Sequence, residues 1–159
     1  MPRTGTTRRR ALIMTGAGLL AAGCSSEEPV KSAPKPAPAA ADPETVLRKR
    51  SAAASRALLG QYDAVLARHP VTARLLRPMR EAVAAHVQAL SPVRTPAARV
   101  PAAPADRASA VKALIAAERR TAGAHTASLD AAPAELARLL ASVAAAGEVH
   151  AYLLTEGNR

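Results

Sequence analysis

The chain has no tryptophan, no phenylalanine and only two tyrosines in 159 residues. Proteins that hold single-stranded nucleic acid stack its bases on aromatic rings. The formal net charge of +10 therefore lacks its usual companion for that role, even though phosphate contacts dominate such affinity. No nucleic-acid partner is expected, and anionic lipid headgroups suit the excess charge better. Cysteine occurs once, at Cys24, which excludes an internal disulfide. Acids number 12 against 22 Lys and Arg, and no two carboxylates share a face as glycoside hydrolysis requires. A Gly-x-Ser-x-Gly elbow, a Cys-His pair, a phosphate-binding glycine loop and a His-Glu-x-x-His signature are all missing. No reaction class is compelled, and the chain is not expected to be an enzyme. Runs of β-branched or aromatic residues with period-two alternation are also missing, while Ala, Leu and Val supply most of the apolar content. That balance favours helices packed through small side chains.

What is present begins with address. Arg8, Arg9 and Arg10 precede an apolar run from Ala11 to Leu20, and Ala21, Ala22, Gly23 and Cys24 close it. A positive start, an apolar segment of about 7–15 residues and small residues at the end form a secretory leader. The run is too short for a spanning helix, which needs roughly 20 residues. The closing residues resemble the bacterial lipobox, with Ala21 where that pattern prefers Leu. The resemblance implies that residues 1–23 are a signal peptide and that Cys24 receives a diacylglyceryl group and fatty chains such as palmitate. One chain binds a membrane only marginally, whereas two or more hold it durably. Thr7 to Ile13 also resembles the twin-arginine export pattern, with Ala11 where Phe is favoured, and an ordinary secretory leader carrying three arginines would look much the same. The expected location is the outer face of the cytoplasmic membrane.

Removing residues 1–23 takes away Arg3, Arg8, Arg9 and Arg10 and no acid, which leaves about +6 of the original +10. Residues 24–42 then carry Pro29, Pro34, Pro36 and Pro38 among Ala, Lys and Ser. This composition builds no core and favours extended polyproline conformations, so it reads as a flexible tether spanning about 50 Å at ~3.1 Å per residue.

Residues 43–156 have room for one domain. Asp42, Pro43 and Glu44 announce a first helix over 43–68, as N-cap, first helical position and first-turn acid. Leu47, Ala54, Leu58, Tyr62 and Val65 lie on its apolar face, and Arg48, Lys49 and Arg50 at its start could meet headgroups. His69-Pro70 stops it, because proline disfavours an α conformation in the residue before it. A second helix is expected from about Val71 to Leu90, kinked or divided by Pro78, with Leu75, Leu76, Met79, Val83, Val87 and Leu90 buried. Residues 91–105 hold Pro92, Pro96, Pro101 and Pro104 and read as an irregular crossover of a length uncommon inside compact domains. Asp106 caps a third helix to about Leu129, with Val111, Leu114, Ile115, Ala122 and Leu129 inward. A fourth begins at 132–135 and carries Leu136, Leu139, Leu140, Val143, Ala151 and Leu154. Two helix hairpins joined by a long link make an all-α four-helix bundle the economical fold. Gly60, Gly123 and Gly147 fall inside helices, at about 1 kcal/mol each relative to Ala, and are expected where helices approach closely.

Four ionisable residues interrupt the apolar stripes: His86 on the second helix, Glu118 and His125 on the third, and His150 on the fourth. Buried groups of this kind must be paired or change protonation state. The Ala-rich layout, the segments 80–86 and 116–120, and 142–154 with its His150-Ala151-Tyr152-Leu153-Leu154 end resemble the ferritin-like bundles found as small lipoproteins in high-GC Gram-positive bacteria. Ferritin-like di-iron proteins use inward glutamates with Glu-x-x-His pairs on facing helices. The resemblance therefore implies iron or another transition metal at His86, Glu118, His125 and His150. Neither pair is intact, because Gly147 stands three residues before His150 and Val83 three before His86. The leading expectation is a lipid-anchored, non-enzymatic module that binds an envelope protein or serves structurally. The competing one is a degenerate ferritin-like metal binder.

Overall fold

The computed structural model describes residues 41–158 apart from 92, 94, 95 and 97. These residues form four α-helices and no strand: α1 Pro43–Arg68, α2 Ala73–Leu90, α3 Arg107–Thr126 and α4 Ala134–Gly157. The residues expected to form the leader, the lipid site and most of the tether, Arg8, Arg9, Ala21, Ala22, Gly23 and Cys24 among them, lie outside the described residues.

Local chemistry sets most helix ends. An Asp42 carboxylate oxygen accepts from the Thr45 N–H at 2.8 Å, and Asp106 accepts from Ser109 N–H at 2.7 Å. Each satisfies a donor that the first turn leaves without an intrahelical partner. His69 and Pro70 end α1, and the break before α2 is a 3-10 turn over Pro70–Thr72. There the Thr72 hydroxyl donates to the His69 carbonyl at 2.7 Å. The interruption thus falls before α2, and Pro78 sits inside a helix that continues through it. The third helix stops at Thr126 rather than near Leu129. Hydroxyls of Thr126 and Ser128 bond back to the carbonyls of Ala122 and Ala124, and Ser128 and Leu129 N–H turn to carbonyls three residues back. Both habits tighten the last turn at the expense of the α ladder. Leu129, freed from the helix, packs against the cluster of Ala52, Leu90, Leu136 and Leu140 instead.

Cross-helix contacts give the direction of each helix. Ser55 meets His125 and Tyr62 meets Glu118, so α1 and α3 run antiparallel. The Glu118 to His150 bond, with Gly147 beside Ala122, sets α4 against α3. His86 beside His150 and Leu75 beside Gly157 set α2 against α4. The order is up, down, down, up, and the crossover climbs the flank of α1. Val100 seats over Gly60, where a Cβ would lie 3.0 Å from its Cγ1, and His69 Nε2 bonds the Pro104 carbonyl at 2.9 Å. Gly60 therefore admits the crossover rather than a helix. Gly147 alone of the three mid-helix glycines serves close helix approach, since nothing lies within 4 Å of a Cβ built on Gly123.

Two apolar clusters fill the bundle. One holds Leu58, Tyr62, Leu76, Val83, Leu114 and Leu154 among others, and the second, at the opposite end, holds Ala52, Leu90, Leu136 and Leu140. Leu47, Leu75, Ile115 and Leu139, expected inside, are half-buried and pack against these clusters. Between the clusters lies a polar layer.

Candidate functional site

That layer takes a side chain from every helix. On α3, Glu118 and His125 stand two turns apart and are each 1% exposed. On the opposing α1, Tyr62 and Ser55 stand two turns apart in the reverse direction, so two rungs form. The Tyr62 hydroxyl donates to Glu118 Oε1 at 2.5 Å, and Ser55 Oγ and His125 Nε2 share a bond of 3.1 Å. From α4, His150 Nδ1 reaches the same Glu118 Oε1 at 3.0 Å. One carboxyl oxygen thus joins side chains of α1 and α4 to α3. From α2, the half-buried His86 ring lies nearly parallel to His150, with centroids 6.4 Å apart and planes inclined by 19°.

Room for Glu118 comes from what α4 lacks. A Cβ on Gly147 would stand 3.4 Å from Glu118 Oε2 and 3.2 Å from the Ala122 Cβ. Glycine here lets α4 close on α3 over the carboxylate, and offsets its poor helix propensity.

Burial, then the neighbouring Glu118 carboxyl, push the Tyr62 phenol far above its ordinary range. The hydroxyl is a fixed donor. Burial, then His150, hold His86 below the usual imidazole value, with Glu118 opposing them; burial, then His86, do the same to His125. A histidine whose folded pKa lies below its unfolded value binds its proton more readily when the chain unfolds. Stability from these two groups is therefore complete above the unfolded value of 6.5. It is lost as pH falls from there toward the depressed folded values. Thermal melts followed by circular dichroism should show Tm falling between pH 7.5 and 5. The decline should shrink when His125 is replaced by Gln, and an unchanged pH profile in that variant would disprove the assignment.

The fold thus gathers His86, Glu118, His125 and His150 into one layer, as the stripe pattern suggested. It does not gather them as ligands. Among the described residues, no group of three or more His, Cys, Asp or Glu side chains is placed to hold a metal ion. The physical reason is visible at two points: Glu118 Oε1 is engaged by Tyr62 and His150, and His125 Nε2 is engaged by Ser55.

Comparison of the chain with protein-family models, with curated proteins and with solved structures returns no match. Its function must be argued from its own geometry.

Two members of the layer, Ser55 and Tyr62, do not stand out in the sequence as site residues. Their signal was a spacing: the two-turn interval on α1 equals that of Glu118 and His125 on α3, as facing rungs require of antiparallel helices. Elsewhere, a cavity of about 360 Å³ opens between α1, α3 and the crossover, lined by Gln61, Val65, Pro101, Pro104, Leu114 and Arg120. It carries no titratable cluster. No helix among the described residues is long and apolar enough to cross a membrane. Of the basic triplet at the start of α1, Arg48 pairs with Glu44 at 2.8 Å, while Lys49 and Arg50 are exposed.

Proposed function

We propose that this chain is a lipid-anchored helical module of the bacterial cell envelope, exported and held at the outer face of the cytoplasmic membrane by acyl chains on Cys24. Its body is a ferritin-like bundle in which an internal hydrogen-bonded network stands where metal ligands would be, and it serves binding or structure instead of oxidation. The observation that carries the second half is the double engagement of Glu118 Oε1 by Tyr62 and His150, with Gly147 pressed against the same carboxylate. Topology supports the ferritin-like part, because such bundles have one long crossover among otherwise short connections and α2 and α3 are joined by one here. Support for the anchor is the order of Arg8-Arg9-Arg10, the apolar run and Ala21-Ala22-Gly23-Cys24.

Fractionation of cells that express the full chain tests both halves. The parent should sediment with membranes and carry acyl chains at Cys24 by mass spectrometry, and Cys24→Ala should accumulate unprocessed or leave the membrane fraction. Metal analysis of the detergent-extracted parent should find no stoichiometric transition metal. A Cys24→Ala chain that is cleaved normally and still partitions with membranes would refute the anchor. Stoichiometric metal lost in a His86→Ala, His150→Ala double variant would refute the account of the interior.

A further inference from the structure

We infer that the slot between α1, α3 and the crossover binds a small monocarboxylate with a slender apolar body, whose charged end is held by Arg120 and Gln61. The cavity of about 360 Å³ falls within the size range of small-ligand sites, whose walls are mainly apolar with a few placed polar groups. Its walls follow that pattern. Ala64, Val65, Pro101, Ala103, Ala110 and Leu114 supply much of them, and Gln61 and Arg120 are the polar side chains among the described lining residues. The lining thus holds one cation and no acid. Among the described residues, neither of these two side chains has a hydrogen-bond or ion-pair partner. Both are free to receive a ligand.

The rungs fix where the polar end lies. Tyr62 faces Glu118 and Ser55 faces His125, which sets Arg120 level with Gly60 and Gln61. Ala113 and Ala110 follow toward the start of α3, about 10 and 15 Å farther along at ~1.5 Å per residue. Both polar groups therefore stand at one end of an elongated apolar slot. The crossover keeps that slot open. Its two fastenings, Val100 over Gly60 and the Pro104 carbonyl on His69, are four residues apart, yet the points they reach on α1 are nine residues apart. Those nine residues span about 13 Å of helix, close to the fully extended limit of ~3.3–3.6 Å per residue for the strap. A strap so taut does not sag into the space, and the alanine methyls around it are too short to fill it. A guanidinium forks onto a carboxylate through two parallel hydrogen bonds, and the Gln61 amide has a further N–H to give. One carboxylate matches the single cation, whereas a phosphate dianion would leave a charge unmatched.

The site lies wholly in the helical body, so the inference stands apart from the fate of Cys24. The test is a titration of the full-length chain in non-ionic detergent with hydrocinnamate, an aryl carboxylate of the stated class, followed by NMR of isotope-labelled alanine methyls. The methyls of Ala103, Ala110 and Ala113 should shift, with a Kd on the order of 1 mM for so small a ligand. Arg120→Ala, or replacing the acid by its neutral amide, should weaken binding about tenfold, as loss of a charge-assisted hydrogen bond does. Ala113→Leu puts three more carbons into the slot and should abolish the shifts. Both substituted positions are exposed on α3, so circular dichroism should show helix content unchanged. Absence of any shift up to about 10 mM acid would overturn the inference. Shifts that survive Ala113→Leu would place the probe elsewhere and overturn the site, and equal affinity for acid and amide would overturn the role of Arg120.

Discussion

Glu118→Ala is expected to lower the free energy of unfolding by about 3–5 kcal/mol, the range for removing one partner of a buried ionic or charge-assisted group. The side chain is 1% exposed, and its Oε1 receives both the Tyr62 hydroxyl and His150 Nδ1. Truncation strands both donors in a buried layer, at about 1–3 kcal/mol for each group left without a partner. Water could relieve part of this on the His86 side, where the layer is half-buried. Glu118→Gln keeps an acceptor oxygen and nearly the same volume, so its cost should be nearer 1 kcal/mol, the difference between charged and neutral hydrogen bonds. In a domain of this size the Ala variant should melt on the order of 15 °C below the parent. Denaturant titration followed by circular dichroism gives the free energies directly. An Ala variant within about 0.5 kcal/mol of the parent, the range of ordinary surface substitutions, would mean that the network contributes little to folding.

The second large effect is expected at Gly147. Replacing it with Glu would supply the carboxylate that a Glu-x-x-His pair with His150 calls for, and the fold is built against it. A Cβ there already stands 3.2 Å from the Ala122 Cβ and 3.4 Å from Glu118 Oε2. The rest of the side chain would have to displace α3 or lie beside the existing carboxylate. Overpacking costs about 1–3 kcal/mol, and a second buried acid must be neutralised or remain uncompensated. A total loss of about 3 kcal/mol or more is expected. Gly147→Ala is the control. Its single carbon asks the neighbours to give by a few tenths of an ångström, while alanine regains about 1 kcal/mol of helix propensity, so the net change should be near zero. Equal stability of the Glu and Ala variants would show that the layer has room for a second carboxylate and would weaken the account of the interior given above.

Much of the architecture could be read from local chemistry. Asp42 with Pro43, and Asp106, mark helix starts through hydrogen bonds made within one turn, which is why α1 and α3 begin where the sequence says they should. The end of α3 was harder, because the apolar period runs on through Leu129 while the hydroxyls of Thr126 and Ser128 redirect the backbone. Pro78 does not divide α2, which runs on through it, although an interior proline forfeits one hydrogen bond. The interior histidines and Glu118 stood out because they interrupt apolar stripes. What they bond to was not legible, since a stripe gives a residue's face and not its rotamer, and Ser55 looks like any helical serine until a histidine faces it. The roles of Gly60 and Gly147 differ for the same reason: each is set by what lies opposite, a crossover valine in one case and a carboxylate in the other.

Alanine-lined helices slide easily, because one small methyl makes much the same contact as the next. A shift of α3 along α1 by a single turn would cost the apolar clusters little, yet it would bring Glu118 against leucine and leave Tyr62 and Ser55 facing hydrocarbon. The polar waist therefore acts as an indexing key. Its side chains set the one alignment in which the bundle can close.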